Sequence, residues 1–192
     1  VATGNVQQEA RIDDDFFAEG LAYFDGRLIM LTWRESTAIV FDSVTFKEVA
    51  RFSYEGEGWG LCYNGSEFVM SDGSADLVFR DAETFVERRR VTVTEAGKPV
   101  RLLNELECVG DRVYANQWQA DRILEIDPRS GVVTAVVDAS GLLDKEEKAE
   151  SDVLNGIAFS PTTQSFLLTG KEWPWVFEAR FIDASDHASQ VD

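Results

Sequence analysis

The chain has 192 residues, 44% of them hydrophobic, enough for a buried core in one domain or in one architecture built by repetition. Its 18 Lys and Arg against 35 Asp and Glu leave a formal charge of −17, which argues against nucleic acid and anionic membranes as partners, because both require basic surface. No apolar run is long enough to cross a membrane as a helix, and residues 1–15 (VATGNVQQEARIDDD) lack the basic start and apolar stretch of a signal peptide.

The opening ATGNVQQEARI reads as the outermost strand of a four-strand unit, with Thr3 in a turn position. AEGLAYF (18–24) and FDGRLIMLTW (24–33) follow as two alternating strands, then IVFDSVTFKEV (39–49) as a further strand pair. The same order returns in GWGLCYN (58–64), NGSEFVMSDG (64–73) and LVFRDAETFVE (77–87). It returns again in LNELECV (103–109), VGDRVYANQW (109–118) and ILEIDPRSGVVTAV (123–136). An acidic insert, DKEEKAESD (144–152), is expected to be a helical or mobile loop. LNGIAFS (154–160) and TTQSFLLTGK (162–171) open a nearly complete fourth unit over 153–181, and residues 182–192 form a polar tail.

Aligned on Leu21, Leu61, Leu106 and Ile157, the units are 40, 45 and 51 residues apart. Asp42, Asp81 and Asp127 recur, each followed three positions later by Thr45, Thr84 or Ser130, a pairing that holds a tight turn through local backbone bonds. Four short strands per period of this length predict an all-β propeller. A propeller closes its ring to bury sheet edges. The unit count therefore predicts one domain over residues 1–192 that lacks most of its first blade.

Repeat symmetry sorts the residues. Gly20, Gly60 and Gly156 recur and are read as structural, for close backbone approach. Glu19, Trp59, Asn104 and Asn155 share one repeat position but differ in chemistry, as do Trp33, Trp118 and Lys171 at the end of the next strand. These two rings are predicted to converge at one mouth of the channel.

Metal and nucleophile chemistries find little support. Cys62 and Cys108 have no CxxC spacing and no histidine companion; two buried thiols are expected, with a disulfide left open. The one histidine, His187, lies in the polar tail, so a Ser-His-Asp triad is excluded except through it. Ser71-Asp72-Gly73 and Asp13-Asp14-Asp15 read as turn or surface groups, since no calcium-loop spacing follows. GEGWG (56–60) lacks the Lys-Ser/Thr and helix of a phosphate cradle.

Seven segments in order resemble the glutamine cyclotransferase family of plants and bacteria: FFAEGLAY (16–23), EGWGL (57–61), SDGS (71–74), RLLNELE (101–107), ANQWQAD (115–121), VLNGIAF (153–159) and TGKEWPWVFE (169–178). The resemblance implies a five-bladed β-propeller with its active site at one end of the channel. It implies conversion of N-terminal glutamine to pyroglutamate with loss of ammonia, on peptides or proteins, without metal or other cofactor. It carries the catalytic carboxylate onto Glu19 and the family's lysine onto Lys171. Aromatic walls fall on Phe17, Trp33, Trp59 and Trp118, and polar pocket groups on Asn104 and Asn155. A further Phe-x-Gln-Gly-Leu segment of the family's first blade has no counterpart here. A monomer acting in the periplasm or after secretion is expected. A non-catalytic propeller scaffold and a calcium-dependent lactonase-like propeller are the alternatives.

Overall fold

A computed structural model describes residues 5–183. It forms four antiparallel sheets in chain order, each a blade. Blade 1 comprises β1 (Ala18–Phe24), β2 (Arg27–Thr32), β3 (Thr37–Asp42) and β4 (Glu48–Ser53). Blade 2 comprises β5 (Leu61–Tyr63), β6 (Glu67–Met70), β7 (Asp76–Asp81) and β8 (Glu87–Thr92). A two-strand ribbon, β9 (Thr94–Glu95) and β10 (Lys98–Pro99), leads to blade 3: β11 (Leu103–Val109), β12 (Arg112–Gln117), β13 (Arg122–Ile126) and β14 (Val133–Asp138). After α1 (Lys145–Glu150), blade 4 has three strands: β15 (Leu154–Ser160), β16 (Ser165–Gly170) and β17 (Phe177–Ala179). The in-phase repeat thus becomes an all-β propeller architecture, with three four-stranded blades and one of three strands.

Burial explains the strand composition. The third strands TAIVFD and DLVFRD are apolar without alternation because neighbouring blades cover both faces. The outer strands EVARFS and ERRRVT carry charge because they meet solvent. Separate cores fill the seams: Leu31, Leu61, Phe68 and Phe85 in one, Val69, Leu77, Leu106 and Leu124 in the next, Ile123, Leu154, Ile157 and Leu168 in the last. The repeated turns form as expected. Asp42 Oδ1 accepts from Thr45 N and Oγ1, Asp81 Oδ1 accepts from Thr84 N and Oγ1, all at 2.8 Å, and Asp127 Oδ2 accepts from Ser130 Oγ at 2.9 Å. The acidic insert is helical at Lys145–Glu150, started by a capping box between Asp144 and Glu147.

Two expectations are corrected. Of the outer strand predicted over residues 2–12, residues 5–12 are described and form no strand; Thr3 lies outside the described residues. Residues 5–12 pair with no described strand. Instead Gln8 Nε2 donates to Val44 O at 3.1 Å, over the first Asp-x-x-Thr turn. The cysteines are not two thiols: Cys62 of β5 and Cys108 of β11 form a disulfide, with Cα atoms 5.5 Å apart, an ordinary separation for bridged cysteines. His187 and most of the polar tail lie outside the described residues.

Candidate active site

The same irregularity recurs in the first strand of three blades. Register slips between Ala18 and Leu21, between Leu103 and Leu106, and between Leu154 and Ile157. The bulged residues are Glu19-Gly20, Asn104-Glu105 and Asn155-Gly156. A bulge turns a side chain out of the regular pleat, which suits a site residue. Blade 2 reaches the same place otherwise: Gly60 N donates to Ser71 Oγ at 2.8 Å, and Ser71 Oγ donates to Asn104 O at 2.6 Å. The glycines permit this closeness. A Cβ on Gly20 would stand 2.7 Å from Gly60 C, and one on Gly60 would run into the Asn104 carbonyl.

The second ring follows one rule in three blades. Trp33 N donates to Phe17 O at 2.9 Å, Trp118 N to Leu102 O at 2.8 Å and Lys171 N to Val153 O at 2.9 Å. In blade 2 this place falls to Gly73, at φ +77°, where a Cβ would meet the Trp59 indole at 2.6 Å. Glycine there leaves the space that Trp59 fills.

Glu19 and Lys171 come together, with Lys171 Nζ 3.9 Å from Glu19 Oε1. The Glu19 side chain is 15% exposed, that of Lys171 42%. Burial raises the Glu19 pKa above the ordinary carboxylate value, and the Lys171 charge partly opposes the rise. The aromatic groups form a chain. Phe17 and Trp33 meet edge to face at 5.8 Å, and Trp59 and Trp118 at 5.6 Å. Arg34 lies over the Trp33 ring at 3.6 Å. Phe17 is half exposed. Asn155 Oδ1 accepts from Glu105 N at 3.4 Å, while the Asn104 side chain turns into the wall, buried, its Oδ1 without a protein partner.

Two acidic residues here were not singled out from sequence. Glu57 Oε2 accepts from Trp33 Nε1 at 2.8 Å and from Trp59 Nε1 at 2.9 Å, so one carboxylate oxygen joins two indoles. Those bonds, Trp59 first, and Arg34 nearby hold its pKa below the usual value. Glu105 is the other, in the β11 bulge. The insert also reaches the rim: Glu147 Oε1 accepts from Trp175 Nε1 at 2.6 Å, and Lys148 pairs with Asp121, so α1 ties the loop after Trp118 to the loop after Lys171.

Comparison with known proteins gives a consistent result. The chain is similar to the glutaminyl-peptide cyclotransferase of Arabidopsis thaliana, with 34% identity over 187 residues, covering 95% of this chain and 58% of the relative. It therefore spans little more than half the length of that curated relative. Its structure is similar to that of Myxococcus xanthus glutaminyl cyclase, with a TM-score of 0.81 and 41% identity, covering 87% of this chain and 73% of the other. The β-propeller domain of Myceliophteria thermophila Cps50 (Swd1) shares the fold alone, at TM-score 0.54 and 13% identity, over 80% of this chain and 49% of the other. The sequence profile for glutamine cyclotransferase matches residues 1–181, and the chain belongs to that family.

Proposed function

We propose that this mouth closes the N-terminal glutamine of peptides or proteins into pyroglutamate and releases ammonia, with Glu19 as the proton shuttle. The observation that carries the reading is the partly buried Glu19, 3.9 Å from Lys171, in a mouth that also holds three indoles. The α-amine nitrogen attacks the side-chain amide carbon, and its proton passes to Glu19. The carbon–nitrogen bond to the amide NH₂ then breaks, and Glu19 returns the proton to that nitrogen as ammonia leaves. A group that both takes and gives a proton works best with a pKa near the operating pH, which desolvation of Glu19 favours. Lys171 is suited to steady the tetrahedral oxyanion, and the indoles to hold the curled side chain against its amine.

The ring is proposed to have five blades, as the family resemblance implies, with strands beyond the four described sheets. Leu21 and Tyr23 on β1 support this, being 52% and 63% exposed where a neighbouring blade would cover them. The Cys62–Cys108 bridge supports a periplasmic or secreted location, since such bonds persist in oxidising compartments. An ammonia-release assay on a Gln-peptide, with the longest form of the protein that its gene encodes, tests the reading. Stoichiometric ammonia and pyroglutamate are expected; neither product would end it. The same assay on the 192-residue chain tests the ring, since full activity there would show that four blades suffice.

Glu57→Ala should raise KM for the Gln-peptide by about 5–10-fold with a smaller change in kcat, because two indoles lose a charged acceptor. Indole fluorescence should change in parallel. An unaltered KM would mean that the indoles hold their places without Glu57.

A further inference from the structure

Arg34 follows Trp33 in the loop between β2 and β3. Its guanidinium carbon lies 3.6 Å above the centre of the Trp33 ring, and its Nε is 3.5 Å from Glu57 Oε1. The other oxygen of Glu57 is taken by the two indoles, so one carboxylate holds both the Trp33 ring and the cation that covers it. The neighbouring Glu35 turns elsewhere, accepting from Phe17 N at 3.4 Å. Arg34 Nη1 and Nη2 donate no hydrogen bond to protein among the described residues. The side chain is 62% exposed, although Glu57 leads into blade 2 and Arg34 thus sits at a seam between two described blades. Trp33 stands opposite Phe17, and Glu19 lies two residues inward of Phe17, about 7 Å of strand.

We propose that Arg34 is a specificity-determining residue, a fork for the carboxylate of an acidic residue next to the N-terminal glutamine. The inference rests on the cyclase reading and adds a substrate class to it: peptides that begin Gln-Glu or Gln-Asp. A glutamine curled at Glu19 turns its amine and its side chain inward, so its carbonyl and the second residue run outward. The second Cα is about 3.8 Å from the first, and an acidic side chain there covers the remaining reach to the rim. An arginine whose Nε is engaged keeps Nη1 and Nη2 as a parallel pair, which matches the two oxygens of a carboxylate. The Trp33 face and Glu57 set that pair in place beforehand, so little side-chain freedom is lost on binding. Glu57 offsets part of the Arg34 charge, and the discrimination therefore comes from the paired hydrogen bonds more than from net charge. The chain's overall charge of −17 works the other way, favouring a cationic second residue, so the sign of the preference separates the two effects.

The test compares kcat/KM for Gln-Glu, Gln-Gln and Gln-Lys amides, with the longest form of the protein that its gene encodes. At about 0.15 M salt the screening length is about 8 Å, so distant charges fade and a direct contact persists. The Gln-Glu amide should exceed the Gln-Gln amide by about 5–10-fold, with the Gln-Lys amide lowest. Arg34→Gln should bring the ratio of the first two to about one. Arg34→Lys should restore only part of it, because an ammonium keeps the charge without the fork. Ratios between peptides cancel any general loss of activity in a variant. Equal values for the three amides in the parent protein overturn the proposal, as does a preference for the Gln-Lys amide. A Gln-Glu preference that survives Arg34→Gln overturns it too, since another group would then carry it. Full restoration by lysine overturns the fork. Should Arg34→Gln not fold, Arg34→Lys gives the same comparison, and an undiminished ratio there overturns the proposal. Indole fluorescence supplies a reading that needs no turnover: pyroglutamyl-Glu amide should bind the parent protein more tightly than pyroglutamyl-Gln amide, and Arg34→Gln should remove the difference. That result with no ammonia from any Gln-peptide would uphold the subsite and place the failure in the cyclase reading.

Discussion

Glu19→Gln should lower kcat for a Gln-peptide by about 10²–10⁴-fold while the thermal melt stays close to that of the parent protein. Glutamine keeps the shape and hydrogen-bonding reach of the side chain but neither accepts nor returns the proton. It also removes a partly buried charge that desolvation disfavours, so no stability loss is expected beyond the Lys171 pairing. The pH profile adds a sign. Glu19 must be ionised to take the proton, and its pKa is raised by burial. The acidic limb of kcat should therefore lie above the ordinary carboxylate range, and activity should fall as pH drops through it. Lys171→Met should move that limb higher still, because the opposing charge is gone. Near-normal turnover in Glu19→Gln would rule out the shuttle, and an acidic limb at the ordinary carboxylate value would show that Glu19 is not the titrating group.

The blades were legible because two local codes repeat. One is the alternation of the strands; the other is the Asp-x-x-Thr/Ser turn, which needs only a side chain and the next three residues of backbone. The two candidate rings stand out in the sequence for a related reason: Glu19, Trp59, Asn104 and Asn155 differ in type at one repeat position. Glu105 carried the same kind of mark, one place on, as Gly, Gly, Glu, Gly across the units. The glycines at that place read as structural, which hides it. Glu57 carried no such mark, since its role depends on where two indoles from different blades point. The outer strand predicted over residues 2–12 does not form over its described part, because a strand is a property of a pair and its pattern does not supply the partner.

The disulfide was beyond local reading for the same physical reason. Nothing near Cys62 or Cys108 brings residues 46 apart in sequence to a Cα separation of 5.5 Å. Gly60 does so, by letting the chain ahead of β5 settle against Asn104 and Glu105 of β11. The bridge then locks a contact that glycine has made. Cys62→Ala with Cys108→Ala should lower stability by about 4 kcal/mol, the loop-closure entropy for that separation. For a chain of this size that corresponds to a fall in melting temperature of roughly 8–16 °C. Reduction of the parent protein should reproduce the shift, and the unreduced, unfolded protein should show no free thiol. A double variant that melts within about 1 °C of the parent protein would show that the Gly60 contact holds the seam unaided. The cost should reach the mouth as well. Trp59 lies three residues before Cys62 and Asn104 four before Cys108, so a seam that loosens also loosens the wall on which the Trp59 indole rests.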